Sequence, residues 1–168
     1  MSIGHEEQRI FVGLGELHVA ADPEVILMCL GLGSCVAVCA YDPSAKVGGV
    51  GHMVLPLWGE SFIKEPSPRF VDSGIPLLVE EMERLGAARS RLIVKVVGGA
   101  RMFAATAGRA GLFDIGKRNV EAANATLESL GLRLSAADTG GNCGRTVQLH
   151  LDSGRLLVST IGTEDREL

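Results

Sequence analysis

Two segments of the chain carry apolar residues at the three- and four-residue spacing that is typical of an amphipathic helix. The first helix is predicted to begin at Asp72 or Ser73, either of which can cap it, and to end at Leu85. The second is predicted over residues 119–130, with Asn119 as its cap. A glycine follows each segment, as is common just beyond the end of a helix.

The remaining sequence consists of short apolar runs between glycine-rich or polar turns, which is typical of strands. The longest run, Val25–Tyr41, has 17 residues without a charge, but Gly31, Gly33 and Ser34 interrupt it. Because a membrane-spanning helix needs about 20 apolar residues, this run predicts two buried strands joined by a glycine turn. The predicted strands are Ile10–Leu14, Val25–Leu30, Val36–Tyr41, Gly48–Leu55, Leu92–Val97, Leu132–Asp138, Thr146–His150 and Leu156–Thr160.

This order of elements favours an α+β domain, in which sheets pack against two helices. Strands and helices do not alternate regularly, as they would in a doubly wound α/β sheet. A length of 168 residues fits one domain over 1–168, with a core at about 10–162. A chain of this size and 46% hydrophobic content can bury a core without a disulfide or a structural metal.

Charge and cysteine content narrow the setting in which the protein works. The 16 basic and 20 acidic residues give a net charge of -4, and no basic cluster occurs, which argues against a nucleic-acid or anionic-membrane partner. The first residues lack the basic start and apolar core of a signal peptide. We therefore expect a cytoplasmic protein without membrane insertion, whose four cysteines are thiols.

Cys35 follows a Gly-x-Gly-Ser turn and precedes an apolar run, a position at which the backbone can approach a ligand closely. Free N–H groups of such a turn, around Gly33 and Ser34, can stabilise a developing oxyanion. This pattern suggests a cysteine nucleophile. The alternative is a buried structural cysteine, since free cysteine is among the most buried residue types.

His52 lies in an apolar run directly after Gly51. An imidazole buried there needs partners, and a cysteine nucleophile needs a group that accepts and later donates a proton near neutral pH. Cys35 and His52 belong to neighbouring predicted strands, so their side chains can meet. Taken alone, a Cys–His pair remains weak support for catalysis.

A metal or nucleotide site is less well supported. Cys29, Cys35, Cys39 and His52 lack the C-x-x-C spacing of structural zinc sites, and the glycine pairs do not complete a phosphate-binding motif. Cys39 is expected to pack in the core and Cys143 to be exposed. We therefore predict no metal and no organic cofactor.

With these residues in view, the chain resembles the chemoreceptor glutamine deamidase CheD family. The similarity extends over roughly residues 10–162 and is carried by five motifs that occur in the family's order. They lie at residues 30–38 (LGLGSCVAV), 51–56 (GHMVLP), 97–103 (VGGARMF), 115–122 (IGKRNVEA) and 138–142 (DTGGN).

The resemblance implies that Cys35 is the nucleophile and that His52 is the general base and acid, paired as thiolate and imidazolium. It implies hydrolysis of glutamine side chains in methyl-accepting chemotaxis receptors, with no metal or cofactor, and a CheC-like phosphatase as a possible partner. The implied fold is a β-sandwich-like core of mixed sheets flanked by helices, similar to the catalytic domain of cytotoxic necrotizing factor. Gly98, Gly99, Thr139 and Gly140 are expected to line the cleft or, alternatively, only to allow tight turns, and Asn119 is favoured as a helix cap over a catalytic role.

The chain departs from the family pattern at Cys29, where family members commonly carry a threonine as third catalytic residue. If the side chain orients His52, a thiol does so less well than a hydroxyl; if a backbone carbonyl orients it, the replacement is harmless. The departure also motivates a second hypothesis, a catalytically weak adaptor in a chemotaxis complex. A cysteine protease is less well supported, because no Asp or Asn that would orient the histidine is evident.

Overall fold

The computed structural model describes residues 6–102 and 114–168, which form ten strands, two α-helices and two short 3₁₀ turns. His5 and the motif residue Phe103 lie outside these residues. The strands are β1 (Gln8–Phe11), β2 (Leu17–Ala20), β3 (Val25–Leu32), β4 (Val36–Asp42), β5 (Val47–Met53), β6 (Ile93–Gly98), β7 (Leu134–Thr139), β8 (Arg145–His150), β9 (Leu156–Thr160) and β10 (Arg166–Glu167). The helices are α1 (Val71–Arg84) and α2 (Ile115–Ser129), and the 3₁₀ turns are Trp58–Glu60 and Arg89–Arg91.

The strands form two five-stranded sheets of mixed direction. The first has the order β1-β3-β8-β9-β10, in which β1 is parallel to β3 and the other neighbours are antiparallel. The second has the order β2-β5-β4-β6-β7, in which only the β6–β7 pair is parallel. The α+β class with mixed sheets is thereby confirmed.

Buried side chains form one cluster between the two sheets and another between the second sheet and the helices. Side chains alternate along β4, so that Val36 and Val38 face the helices whereas Ala37 and Cys39 face the first sheet. As a result, β4 and β5 are buried at every position, as expected of strands covered on both faces. The layers are sheet, sheet and helices, in that order.

The start of α1 differs from the prediction. The helix begins at Val71 and no side chain caps it, so the expectation that Asp72 or Ser73 caps it was wrong. Both residues lie inside the first turn and bond to the preceding loop instead. The carboxylate of Asp72 accepts the Trp58 N–H at 2.7 Å, and the hydroxyl of Ser73 donates to the Ser67 carbonyl at 2.6 Å.

The start of α2 also differs. Asp114 caps the helix by accepting the Lys117 N–H at 3.0 Å, and the first helical residue is Ile115. The prediction that Asn119 caps the helix was therefore wrong, and Asn119 is fully buried inside it. The glycine and two basic residues at 116–118 interrupt the apolar pattern, which hid the first helical turn.

The predicted helix ends are confirmed, since Gly86 and Gly131 follow them with left-handed φ values of 101° and 67°. Each predicted strand overlaps an observed one, but the short strands β2 and β10 were missed. Val25–Tyr41 forms β3, the following turn and most of β4, as expected. Among the described residues, no helix combines the length and apolar character that crossing a membrane requires.

Candidate active site

Cys35 lies in the turn between β3 and β4, directly before the first residue of β4. The pairing of β3 with β8 is irregular just before this turn, where Gly31 has a left-handed φ of 62°. Because side chains alternate along a strand, Cys35 shares the face of Ala37 and contacts the cluster between the sheets. Its side chain is half-buried at the end of that layer.

His52 lies in β5 opposite Ala37 and is only 4% exposed. Cys35 and His52 therefore project from the same face of two adjacent segments, at diagonal positions of the pair. Diagonal neighbours have Cα atoms roughly 7–8 Å apart, within reach of longer side chains. The two residues singled out from the sequence thus lie at the same end of the layer between the sheets.

The His52 ring is held by a backbone carbonyl. Its Nδ1 lies 3.0 Å from the carbonyl oxygen of Val12, which can only accept a hydrogen bond. Nδ1 therefore carries the proton, and in the neutral ring Nε2 has a free lone pair. In the described part of the chain Nε2 is buried without a hydrogen-bond partner, so the ring presents a base to the site.

Three successive carbonyls of the Cys35 turn accept hydrogen bonds from the side of β6 and α2. The pairs are Gly33 with the Ala100 N–H, Ser34 with the Asn119 side-chain amide and Cys35 with the Gly99 N–H, each at 2.8 Å. These bonds hold the turn's carbonyls toward β6 and α2.

The N–H groups of the same turn are not used in this way. Within the described residues, 6–102 and 114–168, neither the Ser34 N–H nor the Cys35 N–H donates a hydrogen bond to another residue. Unpaired donors next to the reacting atom are what an oxyanion hole requires, and the oxyanion role expected for Gly33 and Ser34 stays a prediction.

Gly98 and Gly99 support the turn from behind. Gly98 has φ 116°, and a Cβ there would lie 2.3 Å from the Cys35 carbonyl oxygen. Gly99 has φ 67°, and a Cβ there would collide with Val120 at 2.3 Å. Both backbone conformation and close approach therefore require glycine.

Thr139 and Gly140 line a different depression, of about 560 Å³. Gly99, Arg101 and α2 residues also line it, whereas Cys35 and His52 do not. Gly140 nevertheless connects to the site, because its N–H donates to the Gly98 carbonyl at 3.0 Å.

The pKa of the Cys35 thiol reflects opposing effects. Burial raises it above the ordinary value, while the residue's own N–H and the charge of Arg69 lower it in part. The neutral thiol is therefore favoured in the free protein. Since the thiolate is the nucleophile, a base must remove the proton when substrate is bound; the thiolate–imidazolium pair stays a prediction.

Cys29 and Cys39 face each other's sheets inside the same layer and are fully buried or nearly so. Burial raises the pKa of both thiols, that of Cys39 to about 12, and the neighbouring Cys39 and Cys35 raise that of Cys29 further. Core packing of Cys39 and exposure of Cys143 are confirmed. Within the described ranges no cluster of His, Cys, Asp or Glu is arranged to hold a metal ion.

The sequence missed two contributors to this site. Val12 acts through its backbone carbonyl, which no side-chain pattern reveals. Asn119 was assigned to the helix start, although Gly116 and Ala123, three residues before and four after it, share its buried face. A polar residue within a stripe of small buried residues is the signal that could have identified it.

Comparisons with known proteins agree on one family. A family profile described as CheD chemotactic sensory transduction matches residues 55–160. A protein of Symbiobacterium thermophilum named "Probable chemoreceptor glutamine deamidase CheD" is 47% identical over 94% of this chain and 95% of its own length. The "Chemoreceptor glutamine deamidase CheD" of Thermotoga maritima is 44% identical over 90% of this chain and 91% of its own.

Two solved structures are also similar to parts of the chain. YfiH of Bacillus licheniformis has a TM-score of 0.47 at 13% identity and covers 84% of this chain and 61% of its own. YlmD of Geobacillus stearothermophilus has a TM-score of 0.48 at 14% identity, with 82% and 61% coverage.

Proposed function

This chain belongs to the CheD family, and from that premise we propose that it is a chemoreceptor glutamine deamidase. It hydrolyses the side-chain amide of specific glutamines in methyl-accepting chemotaxis receptors, which yields glutamate and ammonia. Cys35 is the nucleophile, and His52 is the general base and acid. The observation that carries this assignment is the buried, unpartnered His52 Nε2, seen within the described residues on the same face as Cys35.

In the first step, His52 Nε2 removes the thiol proton as the sulfur attacks the glutamine Cδ, forming a C–S bond and an oxyanion. The N–H groups of Ser34 and Cys35 stabilise the oxyanion. The raised pKa of Cys35 supports proton transfer during attack, because the thiol is largely neutral before substrate binds.

In the second step, the imidazolium gives its proton to the departing nitrogen, and the C–N bond breaks to release ammonia. A thioester between Cys35 and the substrate remains. Nε2 then takes a proton from water, which attacks the thioester carbonyl, and the sulfur leaves with the proton returned by His52. The sequence consumes one water and regenerates the free thiol.

We assign the orientation of the imidazole to the Val12 carbonyl rather than to Cys29. The carbonyl already accepts the Nδ1 proton at 3.0 Å. A third side chain is then unnecessary, so the cysteine at position 29 does not by itself favour the adaptor hypothesis.

The surroundings of the site suit a protein substrate. Exposed apolar side chains lie on segments next to Cys35 and His52, among them Leu14 and Leu30, which are 67% and 54% exposed. Met102, 47% exposed, lies against the glycine turn at Gly33. We propose that these side chains contact the receptor around the target glutamine.

Three further expectations belong to the same proposal. The reduced thiols favour a cytoplasmic location, where chemotaxis receptors expose their signalling domains. A CheC-like phosphatase stays a possible regulatory partner. The two mixed sheets with helices on one side support the expected similarity to the cytotoxic necrotizing factor catalytic domain.

The decisive experiment incubates the purified protein with cytoplasmic fragments of chemotaxis receptors. We expect ammonia release, with mass spectrometry locating glutamines converted to glutamate. Cys35→Ala should abolish conversion, whereas Cys143→Ala, which alters an exposed cysteine, should leave the rate unchanged. Conversion by Cys35→Ala at the normal rate would disprove the nucleophile, and receptor binding without any conversion would favour the adaptor.

A further inference from the structure

We infer that Asn119 is a positioning residue, which fastens the turn bearing Cys35 to the strand bearing His52; this inference rests on the proposed function. Its side-chain Nδ2 donates to the Ser34 carbonyl at 2.8 Å and to the Val54 carbonyl at 3.0 Å. Ser34 directly precedes Cys35, and Val54 lies two residues after His52. One amide group therefore joins the backbones of both catalytic segments.

This bridge lies where the regular pairing of β4 and β5 ends. The last paired residues at this end are Val36 and Met53. Beyond them Val54 turns toward the loop before α1, where its N–H donates to the Arg69 carbonyl at 2.8 Å. The Asn119 amide thus links the two segments at the position where backbone pairing no longer does so.

Helix α2, which carries Asn119, packs closely on the neighbouring backbone at Gly116. A Cβ on Gly116, one turn earlier in α2, would lie 2.4 Å from the Ala100 carbonyl oxygen and 2.7 Å from that of Gly99. The helix is therefore packed directly on the segment whose N–H groups hold the carbonyls of the Cys35 turn. Helix α2 therefore fixes the position of this turn in two ways: Gly116 packs on residues 99–100, and Asn119 bonds to the Ser34 carbonyl.

The buried Asn119 amide is hydrogen-bonded through its nitrogen. Asn119 is 0% exposed, and its Oδ1 has no hydrogen-bond partner in the part of the chain that the structure describes. An unpaired buried acceptor is unfavourable, but an apolar side chain would leave the Ser34 and Val54 carbonyls without this donor. The amide is explained by what its nitrogen does, which is to set the spacing between thiol and imidazole.

The test measures alkylation of Cys35 by iodoacetamide as a function of pH, in a Cys143→Ser background that removes the exposed thiol. The variants are Asn119→Ala and Asn119→Asp. Their matched controls are Asn124→Ala and Asn124→Asp, since Asn124 is an exposed residue of the same helix. Peptide mass spectrometry identifies the modified cysteine, and thermal melting verifies that each variant is folded.

We expect Asn119→Ala to alkylate Cys35 about 10-fold more slowly than Asn124→Ala at neutral pH, because a misplacement near 1 Å can cost up to about 100-fold. In Asn119→Asp an oxygen faces the two carbonyls that Nδ2 now contacts. Only the protonated carboxyl can donate, and only to one of them. The deficit of Asn119→Asp should therefore be largest at high pH and shrink toward that of Asn119→Ala as pH falls.

Deamidation kinetics of the same variants provide the second readout. With receptor fragments as substrate, Asn119→Ala should lower kcat and leave KM unchanged, because the residue does not touch the substrate. Equal alkylation rates for Asn119→Ala and Asn124→Ala would overturn the inference. Failure of both Asn119 variants to fold would also overturn it, since the residue would then support the fold as a whole.

The alkylation experiment separates this inference from the proposed function. Iodoacetamide reports on the thiol without any receptor, so the positioning effect is measured even if the protein has a different substrate. Conversely, a protein that shows no deamidation but slow alkylation in Asn119→Ala would disprove the proposed substrate and keep the positioning role.

Discussion

The two ends of β4 both contain buried polar groups, but they differ in how completely these groups are hydrogen-bonded. At the end of the strand, Asp42 is fully buried and both of its oxygens are paired. Its donors are the N–H groups of Ser44, Ala45 and Ala88 at 2.8–3.1 Å and the Arg91 guanidinium at 2.8–3.1 Å.

At the beginning of β4, polar atoms lack hydrogen-bond partners within the described residues. The His52 Nε2 and the Asn119 Oδ1 are buried without a partner within the described residues. The Ser34 and Cys35 N–H groups make no bond there to another residue of the same described ranges. Because buried polar groups are normally paired, the unpaired His52 Nε2 on the same face as Cys35 indicates a group that is available to a substrate.

The comparison separates two uses of buried polarity along a single strand. A fully paired group such as Asp42 stabilises the fold and has nothing left for chemistry. An incompletely paired group such as His52 costs stability and is free to exchange a proton. Substitutions at the beginning of β4 should therefore alter activity, and substitutions at its end should alter stability.

The largest expected effect is that of His52→Gln on deamidation. The glutamine side chain keeps polarity but cannot take the thiol proton, and general acid–base catalysis contributes about 10²–10⁴-fold. We expect kcat on receptor fragments to fall by about 10³-fold, measured as ammonia release. His18→Gln, at an exposed position of β2, is the matched control and should behave as the unaltered protein.

A His52→Gln variant that kept a tenth or more of the activity would contradict the contrast between the two ends. It would mean that another group takes the thiol proton. A change in melting temperature large enough to unfold the variant at the assay temperature would instead place His52 with the structural groups.

The next largest effect is that of Asp42→Asn on stability. Burial alone would raise the pKa of Asp42, but hydrogen bonds from Arg91 and the N–H groups of Ala88, Ala45 and Ser44 outweigh it and hold the pKa well below its ordinary value. The NH₂ group of an asparagine at this position would place a donor where the carboxylate now accepts these hydrogen bonds. We expect the free energy of unfolding at pH 7 to fall by about 2 kcal/mol, measured by urea denaturation.

The pH dependence of this effect has a definite sign. A carboxyl whose pKa is lower in the folded state stabilises the fold above its unfolded pKa of about 4 and loses that contribution as pH falls toward the folded pKa. The stability difference between the unaltered protein and Asp42→Asn should therefore shrink below about pH 4. A difference that stayed constant with pH, or a loss of kcat in the folded variant, would contradict the assignment.

The positions of most strands along the chain could be predicted from local pattern alone. Apolar runs such as Val94–Val97 and the glycine turn before Cys35 identify buried strands and their connection. The proximity of Cys35 and His52 could be predicted because their strands are consecutive, whereas their catalytic roles rest on the resemblance to the CheD family and stay a prediction. Short exposed strands such as β2 carry too little apolar pattern to be recognised.

The supporting contacts of the site could not be predicted in the same way. The Val12 carbonyl and the Ser34 N–H are backbone groups, present at nearly every residue, and only the tertiary structure decides which ones point into the site. Asn119 joins segments that lie 85 and 65 residues away in sequence. Its partners are carbonyls without any residue preference, so the sequence can mark Asn119 as a buried polar residue but cannot identify the groups it contacts.

The smallest expected effect, and the most informative about the orientation of His52, is that of Cys29→Thr. Cys29 is 0% exposed, and the His52 Nδ1 already donates to the Val12 carbonyl at 3.0 Å. A hydroxyl at position 29 should therefore add little, and we expect a kcat within about twofold of the unaltered protein, a difference of less than about 0.5 kcal/mol. Cys29→Val, which has the shape of threonine without its hydroxyl, is the matched control. If threonine were about tenfold faster than valine, the hydroxyl would orient the ring, and the Val12 carbonyl would not be sufficient.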